Sequence, residues 1–455
     1  MRESMSAHEN RTPGRLSWDA VLFVVLWGAL FWSAELSGFF IPSRDQDVAL
    51  VTNLTRVLNY DPLASFTVIV LIVYLIADLT LAGRRQFWVK LAAVWVTIIA
   101  FVIVPTLAAI VYRHNGVPYL YIHDGAIQIE EAIKFLLAGK NPYAENYTGT
   151  PMAQWPFYEP GLTSNPGLYH LIYLPLTMLS SLPFFLLSQA VLGWYDQRFV
   201  HMLMFIALIP MTLRAARAPR EKLSALMVIA LNPLFTPFFI EGRNDILVSF
   251  WLVGAILLLQ RGRLGWAGVC VASAIASKQT AWFFAPFFVF YVLASERAPQ
   301  SWKQVWTCLQ PLLPAGLLAA AILLPFLFWN AGAFVGDTIS YQVGASAETS
   351  YPIKSLGLGG LALGLGWIQH STDTFPFSVL QIAAGGLTML FLLMGQWRDN
   401  TIARMTMNYV ILFIVFGFFS RVFNDNHLGF ALTWLILPSF LAEADLPSRL
   451  SEQQA

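Results

Sequence analysis

Apolar runs of about 18 residues or more return along the whole chain, and one such run is long enough to cross the hydrocarbon core of a bilayer as a helix. Lipid offers no partner for backbone amides, so a chain built this way is committed to helices. Charged residues are 12% of the 455, about half the share of a soluble domain, which leaves too little polar surface for a water-facing shell. The same composition excludes disorder. A net charge of +1 argues against a nucleic-acid binder. Cys270 and Cys308 both sit in apolar segments, which offers neither a disulfide framework nor zinc spacing. The expectation is an all-α polytopic membrane protein.

The predicted spans are 20–41, 63–82, 87–112, 199–213, 223–240, 246–259, 264–277, 281–294, 309–329, 377–394, 408–420 and 428–441, about 12 in all. Three regions follow from them: 1–112 with a tail and three spans, 113–196 with an external loop, and 197–455 with the remaining spans and a second loop at 330–376. The apolar stretch 168–192 is broken by Pro175 and Pro183 and followed by Trp194 and Tyr195, which suits an interfacial or re-entrant segment. Short loops and tails on one side then hold 17 of the 27 Lys and Arg residues. By the positive-inside rule both termini are cytoplasmic in a plasma membrane, and the 113–166 loop faces outward.

That orientation gathers the costly polar groups on the outer face. They are His123 and Asp124, then Glu241, Arg243, Asn244 and Asp245, then Lys278, and finally Arg421, Asn424, Asp425, Asn426 and His427. Ionisable residues at a bilayer edge mark function by default. Structural duties also suit them: Asp124 as a helix N-cap, Lys278 snorkelling from a helix end, and Glu241, Arg243 and Asp245 as an ion-paired cap. A lone carboxylate in an external loop suits a general base, and cations at the membrane edge suit a lipid phosphate. Tyr143, Trp155, Phe157 and Tyr158 suit either sugar stacking or interfacial anchoring. Asp124 has no paired carboxylate, so no divalent metal is expected as a cofactor.

The stretch from Asp124 to Gly139-Lys-Asn-Pro-Tyr143, the segment Asn165-Pro-Gly-Leu-Tyr-His170, Gly242-Arg-Asn-Asp245 opening a span, and the alanine-rich run before Lys278 resemble multi-pass enzymes of the GT-C glycosyltransferase superfamily. The pattern is similar to that of the mannosyltransferases of glycosyltransferase family 87. The resemblance implies an inverting hexosyltransferase that takes sugar from a polyprenyl-phosphate carrier and passes it to a lipid-linked or glycan acceptor outside the membrane. It implies Asp124 as catalytic base, with Lys278, Arg243, Arg421 and His427 at the donor phosphate. One departure stands out: the superfamily's Asp follows the first span, whereas Asp124 follows the third. Asp45 or Asp47 is the alternative, although only Asp124 leads into Gly-x-x-Pro-Tyr. The rival reading is a secondary transporter or lipid-sugar flippase, for which Lys278 would mark a binding site.

Overall fold

Each apolar run closes its backbone hydrogen bonds internally, so helices dominate the residues that the structure, a computed structural model, describes: 15–36, 62–159, 161–294, 300–345 and 350–443. The first three helices are α1 (Trp18–Leu36), α2 (Pro62–Thr80) and α3 (Gly83–Asn115). They are pinned together at one end by Lys90, whose Nζ lies 2.6 Å from the carboxylates of both Asp19 and Asp78. Tyr74 donates to Asp19 and Ser17 donates to Asp78, so the buried charges are hydrogen-bonded as well as paired. At 33 residues α3 is about 50 Å long. A π turn at Ile99–Ile103 interrupts it.

The opposite end carries α4 (Asp124–Leu137). Its buried Glu130 accepts two bonds from Arg113 of α3, at 2.9 and 2.7 Å. Arg113 also reaches Asp196 at 2.8 Å, and Asp196 in turn holds Arg198 at 2.8 Å. This four-charge network joins α3, α4 and the start of α6 (Arg198–Ala215). Breaking one partner would strand a buried charge.

Between α4 and α6 lies α5 (Pro175–Leu192), long and apolar enough to cross a membrane. Both of its ends nevertheless meet the Asp124 end of the molecule. Thr177 donates to the Ser277 carbonyl at 2.7 Å, and Trp194, just past the helix, stacks on His114 at 3.9 Å. The helix therefore lies across that end, in keeping with the interfacial expectation for 168–192.

The chain continues through α7 (Pro219–Ala230), α8 (Thr236–Glu241), α9 (Asp245–Leu259), α10 (Leu264–Ser277), α11 (Gln279–Leu293) and α12 (Trp302–Trp329). The expected span 223–240 is broken. Pro233 cannot continue a helix, and the Asn232 side chain accepts from the Leu234 amide at 2.9 Å, turning the chain between α7 and α8. Then come α13 (331–343), strand β1 (Lys354–Ser355), α14 (Leu358–Gly364), α15 (Phe377–Arg398), α16 (Ile402–Phe418), strand β2 (Val422–Phe423) and α17 (Asp425–Ile436). Among the described residues five helices are long and apolar enough to span a membrane, and the other expected spans are shorter or broken. The count of twelve is therefore not reached on that measure. β1 and β2 pair in parallel, Lys354 with Val422 and Ser355 with Phe423, which draws the 330–376 loop onto the start of α17.

Candidate active site

Asp124 is the first residue of α4, and His123, not Asp124, caps the helix. One carboxylate oxygen, Oδ1, accepts from the Gly125 amide at 2.7 Å and lies 3.0 Å from His123 Nδ1. The other, Oδ2, accepts from Asn165 Nδ2 at 2.9 Å. Asn165 is itself locked, its Oδ1 taking the Gly167 amide, while Gln128 of α4 donates to the carbonyls of Gly167 and His170. Burial pushes the Asp124 carboxyl up, but His123 beside it and the bonds from Asn165 and Gly125 outweigh that and leave it at about 2. The base is thus held ionised, with its side chain 20% exposed.

Asp124 opens onto a cavity of about 610 Å3. His123, Trp155, Phe157, Glu159, His170, Tyr173, Glu241, Arg243, Tyr351, Lys354, Asn424 and Asp425 share its wall. Burial and the Asp124 charge push the Tyr351 hydroxyl up to about 12, so it remains a hydrogen-bond donor at neutral pH. Trp155 is fixed in the wall by a bond from its indole N–H to the Ile122 carbonyl, 2.9 Å.

Arg243 reaches the cavity from the turn between α8 and α9, where Gly242 adopts a φ of 92° that ends α8. Its guanidinium lies over the Phe238 ring at 4.3 Å, bonds Glu241 at 3.0 Å and donates to Asn426 at 2.7 Å. Behind it the chain of bonds continues inward. Asn426 donates to Asp245 at 2.9 Å, and Lys278 Nζ lies 2.5 Å from the other Asp245 oxygen.

The sequence-derived candidates therefore separate into layers. His123, Asp124, Glu241, Arg243, Asn424 and Asp425 meet at the cavity wall. Lys278, Asp245 and Asn426 stand behind Arg243, because the ammonium is taken by Asp245. Asn244 is buried just before α9, and its Nδ2 has no partner among the described residues. His427 accepts from the Asn424 amide at 3.1 Å and packs against Phe423 and Phe413, away from the wall. Arg421 is 2% exposed and spends its guanidinium on the carbonyls of Tyr351, Ser371 and Asp373. Tyr143 is not available for stacking, being buried against Phe326 and Phe334 with its hydroxyl on the Tyr173 carbonyl. Tyr158 is 88% exposed and off the wall, whereas Trp155 is on it. Asp45 and Asp47 lie outside the described residues.

Two wall residues escaped the sequence reading. Lys354 arrives through the β1–β2 pairing and forms no ion pair among the described residues, unlike Arg243. Tyr173 sits directly over Gly125: a Cβ at that position would lie 1.7 Å from its hydroxyl. Gly125→Ala should therefore push Tyr173 and the Asn165 turn away from Asp124. The expected result is a turnover loss on the order of 100-fold, read from initial rates, with a smaller loss of thermal stability. Wild-type turnover in Gly125→Ala would mean the Tyr173 contact is unimportant.

The family model for glycosyltransferase family 87 matches residues 166–419, beginning just after the loop that carries Asp124 and Asn165. No curated protein and no solved structure matches the chain.

Proposed function

The chain belongs to glycosyltransferase family 87 and is a membrane glycosyltransferase, and from that premise we propose that it moves a hexose of the mannose type from a polyprenyl-phosphate carrier to a lipid-linked or glycan acceptor on the extracytoplasmic face. The observation that carries this reading is one cavity shared by an ionised, immobilised Asp124 and by two cations, Arg243 and Lys354.

Mechanistically, Asp124 takes the proton of an acceptor hydroxyl as its oxygen attacks the anomeric carbon. The phosphate carrier departs from the opposite face, so the anomeric configuration inverts in one displacement. Lys354 is the better placed of the two cations to meet the leaving phosphate. Arg243 already answers to Glu241 and Asn426, whereas a compact ammonium on an exposed side chain supplies a point charge without first breaking a bond. Tyr351 donates a hydrogen bond nearby, and Trp155 and Phe157 give the sugar an apolar face. Glu159, Glu241 and Asp425 make the rest of the wall acidic, which favours hydroxyl-rich ligands over a second anion. Nothing in this scheme calls on a divalent metal. The transporter reading loses its main feature, since Lys278 is committed to Asp245.

Incubating the purified protein with polyprenyl-phosphate hexoses and following carrier release tests the proposal. Release that needs an acceptor supports it, and transfer from nucleotide sugars alone would sink it. Lys354→Met should raise the donor KM roughly 10- to 100-fold, the loss of one charge-assisted hydrogen bond, with Lys354→Arg recovering part of it. An unchanged donor KM in Lys354→Met would remove Lys354 from the phosphate site.

A further inference from the structure

The cavity does not stop at the polar wall. A second limb descends among the helices that precede the site, lined by Leu30 of α1, Thr67 of α2, and Ala100 and Phe101 of α3. None of the cavity residues contributed by these three helices is charged. Ala100 lies 15 residues before the end of α3 at Asn115, so the limb reaches about 22 Å along the helix from its outer end. It does so at the π turn, a feature that often accompanies function in helices. Ala100 brings a minimal side chain to that turn, which keeps the limb open.

A slot this deep and this apolar is wrong for a sugar, whose hydroxyls would be left without partners. It suits a hydrocarbon chain. The limb also joins the cationic wall: Phe238 lines the cavity and carries the Arg243 guanidinium on its ring. A ligand with an apolar chain bonded directly to a phosphate fits that junction, the chain in the limb and the phosphate at Arg243 and Lys354. We propose that the limb built by α1, α2 and α3 holds the isoprenoid chain of the donor carrier. Two of its walls, α1 and α2, lie well upstream of the family-matched residues 166–419, so these helices make carrier-chain selection a property of this chain's N-terminal part. The inference rests on the donor reading given above and adds where the lipid lies and what selects it.

Filling the limb tests it. Ala100→Trp is the strong variant. Ala100→Leu and Leu30→Phe are gentler ones, kept in case the tryptophan prevents folding, and thermal melts check each protein. The readout is kcat/KM for hexosyl-phosphate donors carrying a short prenyl chain or a full-length polyprenyl chain. The long-to-short ratio should fall about tenfold or more in Ala100→Trp and less in the gentler variants. Ile72→Trp, on a half-exposed face of α2, should leave the ratio where it is. An unchanged ratio in folded limb variants overturns the proposal. So does an unchanged donor ratio with a raised KM for a lipid acceptor, because the limb would then belong to the acceptor. Direct binding of sugar-free polyprenyl phosphate separates this inference from the reaction assignment. If the wild type binds it and the limb variants do not, the limb stands even where no hexose is transferred. If all bind it equally, the limb assignment falls even where transfer occurs.

Discussion

Asp124→Asn is expected to lower kcat by about 10²- to 10⁴-fold, the usual worth of a positioned general base. The amide keeps the size of the carboxylate and can still face Asn165 and the Gly125 amide, so melting temperature and carrier binding should change little. What it cannot do is accept a proton. The carboxyl sits at about 2 because His123, Asn165 and the Gly125 amide outweigh its burial. The sign matters here: a depressed pKa keeps the base ionised as pH falls and delays its loss to acid. The pH profile of kcat/KM should accordingly show no acid limb from this group between about pH 5 and about pH 8. Near-normal turnover in Asp124→Asn, with loss in Asp45→Asn or Asp47→Asn, would move the base to the loop after α1.

The helical class was legible because hydrocarbon solvent leaves an apolar chain no alternative, and sidedness was legible because charges in short loops report it. These two signals brought Asp124, Glu241, Arg243, Asn424 and Asp425 to one face, and the structure brings them to one cavity. Sidedness says nothing about order in depth. Lys278 looked like a solitary cation at a hairpin tip, yet its partner Asp245 lies 33 residues earlier at the head of a different helix. Arg421 looked available because its neighbours in sequence are polar. Its true partners are backbone carbonyls of the 330–376 loop, whose path no local pattern reveals. Lys354 was missed for the same reason, since only the two-residue pairing of β1 with β2 carries it to the cavity. The Arg113–Glu130–Asp196–Arg198 network had a signal that went unused: four ionisable groups in or beside apolar helices imply mutual pairing.

Lys278→Met should act on the fold first and on the donor site second. Asp245 is 3% exposed, and its carboxylate leans on the Lys278 ammonium at one oxygen and on the Asn426 amide at the other. Removing the ammonium leaves a buried charge with a single neutral donor. Breaking one side of such a pair costs roughly 3–5 kcal/mol, far more than the pair adds over an apolar replacement. A clear fall in melting temperature in detergent is the expected result. Lys278→Met combined with Asp245→Asn should recover much of the loss, because the stranded charge is gone. The second effect travels through Asn426: freed from its place on Asp245, its carbonyl no longer holds the Arg243 guanidinium at 2.7 Å. Donor KM should therefore rise in both the single and the double variant, while melting temperature recovers in the double alone. That split distinguishes a positioning role from a purely structural one. A variant with wild-type stability that fails to bind carrier would place Lys278 on the phosphate itself, and the Asp245 pair would then be a contact of the empty site that substrate breaks.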